Sequence, residues 1–297
     1  MRVIGMIAPS WSGSTLWNLI LDGLPGVTGV GEDHWIVDHR TFNRPYYCTE
    51  CRDDPCSIFT PAALEEIADC AGFPGTWWPA LAKATGCDII VTSDKSPHHY
   101  ERFGLPDICM VPYKDMRAHV ASFVVNWLRK NKSIWDKSGT LMEDVNPTDA
   151  EVQEGIPWVV GNYNTVLDWA EGKGLPVHAV KLEDLALHPY RTLRATCAAL
   201  GLPLDFTALD FTAQPHHHIG GNFSVRFHHG KDYPTKGVER TYAHQWQEKF
   251  KGRIALDDKW KSILTPSQAE AIMQDERALA LETRFRRLRC REDDITQ

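Results

Sequence analysis

The chain has 297 residues, of which 43% are hydrophobic and 24% charged, with a net charge of −7 and a pI near 6.0. That size buries a sizeable core, and the acidic balance argues against a generic nucleic-acid binder, which would carry a basic face. No apolar run approaches the roughly 20 residues of a membrane span. No apolar segment with a small-residue cleavage site opens the chain, and eight cysteines without such a leader point to reduced thiols and a cytoplasmic protein.

The first element is a strand over Arg2–Ala8, and a helix opens at Ser14-Thr15-Leu16. Thr60-Pro61 reads as an N-cap with proline at the first helical position, and Gly72 closes that helix. Short apolar runs at Asp88–Thr92 and Ile108–Val111 read as strands, the second leading into a helix with Phe123, Val124 and Trp127. Thr148 and Glu151 form a capping box for a helix carrying Trp158, Val159, Tyr163, Val166 and Trp169, with a kink expected at Pro157. A strand over Val177–Lys181 precedes a helix over Tyr190–Leu200, stopped by Gly201. Thr265-Pro266 opens a final long helix ending in Arg284, Arg286, Arg287 and Arg289, cations that suit a solvated C-terminal end. Strands alternating with helices predict an α/β fold, a central parallel sheet flanked by helices. We expect one domain over 1–297, with a helical, cysteine-containing insertion around 40–80.

Between the first strand and helix lies Pro9-Ser-Trp-Ser-Gly13. Small residues let several backbone N–H groups converge, and the helix behind adds its positive end, so Ser12, Gly13, Ser14 and Thr15 form a phosphate cradle. On the Walker A pattern, Ala8 stands at the first glycine and Ser14 at the lysine. The missing lysine argues against ordinary ATP or GTP hydrolysis. The alternative is a plain tight turn between a core strand and a core helix.

Further segments bear on the choice. Val91-Thr-Ser-Asp-Lys-Ser-Pro97 follows a strand, which puts Lys95 at the carboxyl end of the sheet, where α/β ligands bind. Lys114 to Ser122 spans a strand-to-helix turn, Val180-Lys-Leu-Glu-Asp-Leu185 comes later with Leu-Gly-Leu at 200–202, and His218 to Arg226 contains Gly220-Gly221-Asn222. Taken in this order with the Ser-Gly-Ser-Thr-Leu cradle, they resemble the sulfotransferase family of bacterial type, whose fold is P-loop-like. The resemblance covers most of the chain, including Trp260 and Leu264-Thr-Pro-Ser-Gln268.

The resemblance implies the donor 3′-phosphoadenosine 5′-phosphosulfate (PAPS), the product 3′,5′-adenosine bisphosphate, and transfer of a sulfuryl group to a hydroxyl or amine. Lys114 and Ser122 fall on the family positions that hold the 3′-phosphate. Gly221, Asn222 and Arg226 match a Gly-Asn-x-x-Arg loop with one extra residue before the arginine. The family places Lys or Arg just before the Ser-Gly cradle, and here that position is Trp11. Lys95 is the nearest replacement for its charge. Two residues compete for the base that takes the acceptor proton. Glu32 lies just past the first helix, where family members place a catalytic Glu, and His98 follows Lys95 with a more suitable unperturbed pKa. We favour Glu32. The rival readings are a nucleotide-binding pseudoenzyme, motivated by Trp11, and a phosphoryl transferase on the same fold, which the missing Walker lysine disfavours.

Cys48, Cys51 and Cys56 place three soft ligands in one short segment, and His34, His39 or a more distant Cys offers a fourth for zinc. Bacterial relatives carry a Cys-rich patch here. No second matched pair completes a zinc signature, so unmetallated thiols are favoured, with zinc and a redox-labile pair as alternatives. Cys70, Cys87, Cys109 and Cys197 read as core thiols. The run at 216–218 could bind metal opportunistically, but it reads first as lining the ligand entrance or as exposed. Trp77, Trp78, Trp127, Trp135 and Trp158 could wall an acceptor site, though aromatics at helical spacing are more often core. The expected partner is a small-molecule acceptor, with neither nucleic acid nor membrane.

Overall fold

The computed structural model describes residues 1–41, 48–51, 55–132, 146–219 and 252–289, with the backbone alone at 39 and 126–132. In chain order the elements are β1 (Arg2–Met6), α1 (Ser14–Asp22), β2 (Val27–Gly31), α2 (Trp35–Thr41), α3 (Pro61–Asp69), α4 (Trp77–Thr85), β3 (Ile89–Thr92), α5 (Pro97–Phe103), β4 (Ile108–Tyr113), α6 (Met116–Lys132), α7 (Asp149–Gly172), β5 (Val177–Lys181), α8 (Leu182–Leu187), α9 (Pro189–Leu200), a 3₁₀ turn (Phe206–Leu209), α10 (Trp260–Ile263), α11 (Pro266–Gln274) and α12 (Glu276–Leu288).

The five strands form one parallel sheet in the order β2-β3-β1-β4-β5. Successive strand residues point to opposite faces, so the two faces collect different partners. Ile4, Met6, Val91, Met110 and Val180 pack with Trp17 and Leu21 of α1 and Leu193 and Cys197 of α9. Val3, Ile90, Cys109, Val111 and Ala179 pack on the other face with residues of α4 to α7, α11 and α12. The crossover helices therefore leave β1 on one face and β3 and β4 on the other. The carboxyl end of β1 therefore lies at the topological switch point, the place where such sheets bind ligands.

The predicted strands at β1, β3, β4 and β5 hold, with ends shifted by one or two residues, and the β5 limits are the predicted ones. Strand β2 is additional. Its sequence Val-Thr-Gly-Val-Gly lacks an apolar run, yet all five residues are buried. A Cβ on Gly29 would sit 3.0 Å from the backbone oxygen of Asn18, so the glycine that hides the strand in sequence is what lets α1 lie on it. The final long helix is corrected to two. Asp275 takes an extended ψ of 121° and accepts the N–H groups of Arg277 and Ala278, so it ends α11 and caps α12. Three of the arginines at its end are engaged rather than merely solvated: Arg284 pairs with Asp168 at 2.6 Å and Glu171 at 2.9 Å, Arg286 with Glu282 at 3.6 Å, and Arg289 with Asp184. The predicted capping box of Thr148 with Glu151 and the predicted Gly201 stop, at φ 59°, are both present, and α7 runs continuously through Pro157. Cys109 and Cys197 are core thiols, whereas Cys70 and Cys87 are half-buried. No described helix is long and apolar enough to cross a membrane.

Candidate functional site

The cradle follows the central strand. Gly13 is left-handed at φ 94° and opens α1, with no side chain capping the helix. A Cβ there would stand 3.1 Å from both methyls of Leu182, so the turn needs glycine for conformation and for space. Ser12 is fully buried, and its Oγ has no hydrogen-bond partner among the described residues. A buried hydroxyl without a partner is costly, and here it adjoins open helix N–H groups. Together they suit an anionic ligand group. Ser14 is buried and Thr15 half-buried on the first turn of α1.

Trp11 is the one described non-glycine residue with positive φ, at 67°. Its ring lies 6.4 Å from Phe123 and 6.5 Å from Trp158, and those two stack at 3.9 Å. The cradle therefore presents an aromatic trio where the family pattern has a cation. Of the other tryptophans, Trp77 and Trp78 are buried, with Trp77 stacked on Phe103 at 4.1 Å, so they belong to the core. Trp127 has only its backbone described, and Trp135 lies outside the described residues.

Two lysines flank the cradle on neighbouring strands. On one side, Lys95 beyond β3 forms an ion pair with Glu32 beyond β2, and the second oxygen of Glu32 accepts the Trp35 indole N–H at 3.2 Å. The Glu32 N–H donates to the Ile219 carbonyl. His98 is exposed on the first turn of α5; its ring lies 6.2 Å from that of His99. On the other side, Lys114 at the end of β4 donates to Ser122 Oγ at 2.9 Å and to Asp257 Oδ2 at 2.8 Å. Lys114 is buried, and its charge, with that of Lys259, holds the Asp257 carboxyl below its ordinary range against the effect of burial. Gly221, Asn222 and Arg226 lie outside the described residues.

Among solved structures, the sulfotransferase domain from the curacin biosynthetic pathway aligns with a TM-score of 0.56 at 16% identity, covering 95% of this chain and 97% of its own. The sulfotransferase domain of the Synechococcus PCC 7002 olefin synthase aligns with a TM-score of 0.52 at 18% identity, covering 92% and 94%. The fold is that of the sulfotransferases. No family model and no curated protein matches the chain.

Beside this edge of the sulfotransferase-like sheet the structure gathers Asp33, Asp94 and His119, to which the sequence assigned no role, and His34, which it offered only as a zinc ligand. Asp94 and Asp33 are fully buried beside the Glu32–Lys95 pair. Asp33 accepts the Trp77 indole N–H at 2.6 Å and the Thr92 hydroxyl, and Asp94 meets His34 Nδ1 at 2.5 Å. Burial raises both carboxyls, Asp94 to about 8. Burial also lowers His34, which stacks on His99 at 4.0 Å. The signal was adjacency: Asp33 and His34 follow Glu32, and Asp94 precedes Lys95. His119, also fully buried, anchors the cradle from α6. Its Nε2 meets the Ser10 carbonyl at 2.9 Å, and burial and Lys114 lower its pKa to about 3. A neutral imidazole fits these contacts, with Nε2–H donating to Ser10 and Nδ1 facing Tyr163 Oη at 3.0 Å, a hydroxyl that also donates to the Pro112 carbonyl at 3.3 Å.

The histidine run is not exposed. His216 and His218 are buried, and His216 lies between Asp22 Oδ2 and the Phe211 carbonyl, 2.5 Å from each. His217 Nδ1 approaches Cys48, Cys51 and Cys56 Sγ at 3.5, 3.5 and 3.4 Å. The group facing the three thiols is therefore His217 and not His34, which is committed to Asp94; the side chain of His39 lies outside the description.

Proposed function

We propose that this chain is a sulfotransferase that moves a sulfuryl group from PAPS to a hydroxyl or amine of a small-molecule acceptor. The observation that carries the reading is the meeting of Lys114 and Ser122 at 2.9 Å beside a cradle whose Ser12 hydroxyl is buried and unpartnered. A PAPS donor is anionic at two ends, and these two places are suited to its two ends. The cradle amides with Ser12 and Thr15 take the 5′-phosphosulfate. Lys114 and Ser122 take the 3′-phosphate, which competes with Asp257 for the lysine.

The acceptor oxygen attacks sulfur in line. An S–O bond forms, the bond from sulfur to the bridging phosphate oxygen breaks, and 3′,5′-adenosine bisphosphate leaves. The acceptor proton passes to Glu32, a carboxylate at the carboxyl edge of the sheet already steered by Trp35 and Lys95. Lys95 supplies the positive charge that Trp11 lacks and stabilises the charge growing on the leaving phosphate. Pre-placed charge of this kind speeds the chemical step rather than tightening ground-state binding.

Trp11 favours one second reading, a nucleotide-binding protein without turnover, because its ring is committed to Phe123 and Trp158. Calorimetry with 3′,5′-adenosine bisphosphate against ATP–Mg²⁺ tests the donor. Tight binding of the bisphosphate alone is the expected result, and binding of ATP–Mg²⁺ alone overturns the reading in favour of a phosphoryl transferase. An acceptor screen with sulfur-labelled donor then separates enzyme from binder.

A further inference from the structure

A second built site lies away from the cradle. Cys48, Cys51, Cys56 and His217 bring four ligand atoms within 4.8 Å of one another. Three thiols come from one short segment and the imidazole from a residue far along the chain. None of the three cysteines is in a disulfide. Cys48 and Cys56 are buried and Cys51 is half-buried.

The spacing is that of a small tetrahedron. With Zn–S near 2.3 Å and Zn–N near 2.1 Å at tetrahedral angles, each S···N edge should be about 3.6 Å. The three observed S···Nδ1 separations are 3.5, 3.5 and 3.4 Å. One ring nitrogen facing three sulfurs is not a hydrogen-bond pattern, because a single N–H or lone pair serves one sulfur well. It is the pattern expected when all four atoms point at a common centre. Backbone N–H groups also surround the sulfurs: Phe59 donates to Cys56 Sγ at 3.2 Å, and the Glu50 and Cys51 amides face Cys48. Such donors stabilise thiolates and orient metal ligands.

We propose that Cys48, Cys51, Cys56 and His217 Nδ1 bind one structural zinc ion. The donor set of three soft thiolates and one imidazole in a closed tetrahedron selects zinc over harder cations. On binding, the three thiols give up their protons to solvent and His217 coordinates as neutral imidazole. With four protein ligands no position remains for water, so the role is structural.

What the ion would hold is visible in the backbone. Ile219, two residues after His217, pairs with Cys48 and with Gly31. Its N–H donates to the Val30 carbonyl at 2.8 Å and its carbonyl accepts the Glu32 N–H at 3.1 Å, while the Thr49 N–H donates to the His218 carbonyl at 2.8 Å. The zinc clamp therefore ties the cysteine segment to the strand-like stretch 217–219, which in turn fixes the backbone of Glu32. This inference stands on its own geometry and does not depend on the proposed activity.

The test uses the full chain, produced without a polyhistidine tag and kept reduced. Elemental analysis should find about one zinc per chain. Exchange into cobalt(II) should give a thiolate-to-cobalt charge-transfer band with the intense d–d bands of a tetrahedral site. His217→Cys should keep the metal and shift the d–d bands to lower energy, since sulfur replaces nitrogen. Cys51→Ser, altering the half-buried ligand, should weaken cobalt affinity at least tenfold. Chelation should speed amide exchange in peptides covering 48–56 and 217–219 and leave β4 and β5 protected. Three results would each overturn the proposal: reduced wild-type protein from zinc-supplemented cells with less than a tenth of an equivalent, a cobalt spectrum without a thiolate band, or a disulfide among the three cysteines under those conditions.

Discussion

The two flanks of the cradle each carry a lysine bound to a carboxylate, but they are built differently. Lys95 leaves 36% of its side chain exposed and Lys114 only 3%. The Lys95 pair is open to solvent at its lysine end only, since Glu32 keeps 13% of its side chain exposed against 11% for Asp257; a solvated ammonium holds its partner weakly, so Lys95 can exchange Glu32 for another anion. The buried pair differs. Removing one partner of such a pair leaves a charge stranded in low dielectric, at about 3–5 kcal/mol. Lys114 is therefore bound to keep an anion, whether Asp257 or a phosphate. One flank is suited to charge that changes during a reaction, the other to charge that is held throughout.

The largest expected effect comes from the exposed flank. Glu32→Gln should preserve the fold and bisphosphate affinity while turnover falls roughly 10²–10⁴-fold, because the amide cannot take the acceptor proton. His98→Asn is the control. Loss of turnover in His98→Asn with near-normal Glu32→Gln would move the base to α5. Next comes stability. Lys114→Met should cost about 3 kcal/mol by denaturant unfolding, and Lys95→Met should cost less, because the lysine end of that pair is already solvated. Equal losses would erase the distinction between the flanks.

A smaller effect sharpens the buried side. Asp257→Asn removes the carboxylate that competes for Lys114 while keeping an oxygen for it. Bisphosphate affinity should rise about tenfold, or 1.4 kcal/mol, with little change for adenosine 5′-phosphosulfate, which lacks the 3′-phosphate. An unchanged bisphosphate affinity would place the 3′-phosphate elsewhere.

This asymmetry was only partly legible in the sequence. The strands at β1, β3, β4 and β5 were readable as apolar runs between helical stretches, and the order of motifs along the chain located the carboxyl edge. Glu32, Lys95 and Lys114 sit on that edge because each lies just past a strand, and Ser122 reaches Lys114 from the second turn of α6. What escaped depends on distance through space. Asp257 meets Lys114 from 143 residues away, and no local pattern marks it. His217 reaches Cys51 across 166 residues, so counting cysteines could find three ligands but not the fourth. Strand β2 escaped because Gly29, which fits it under α1, and Gly31, which admits the Ile219 backbone, also erase its apolar alternation. His119 escaped because a histidine on a helix is more often a satisfied core residue than a tether, and here it is both.

That residue supplies the smallest and most specific prediction. His119 joins the cradle to the Lys114 flank, facing Tyr163 and donating to Ser10. Its pKa is lowered from 6.5 to about 3, by burial first and then by Lys114. Between those values the folded chain binds fewer protons than the unfolded chain, so stability falls as pH falls through that window and is fully present above it. His34, His99 and His178 are lowered as well, the last two to about 4, and steepen the same limb. The raised carboxyls of Asp33 and Asp94 act in the opposite sense. His119→Gln keeps a donor for the Ser10 carbonyl and loses the contact with Tyr163, at about 1 kcal/mol near neutral pH. It should also remove one proton from the acid limb. The slope of unfolding free energy between pH 6 and pH 4 should therefore be shallower than in the wild type, with the bisphosphate site intact. A parallel curve, displaced but with the same slope, would mean that His119 carries its proton in the folded state and that the cradle is tethered by a charged imidazole.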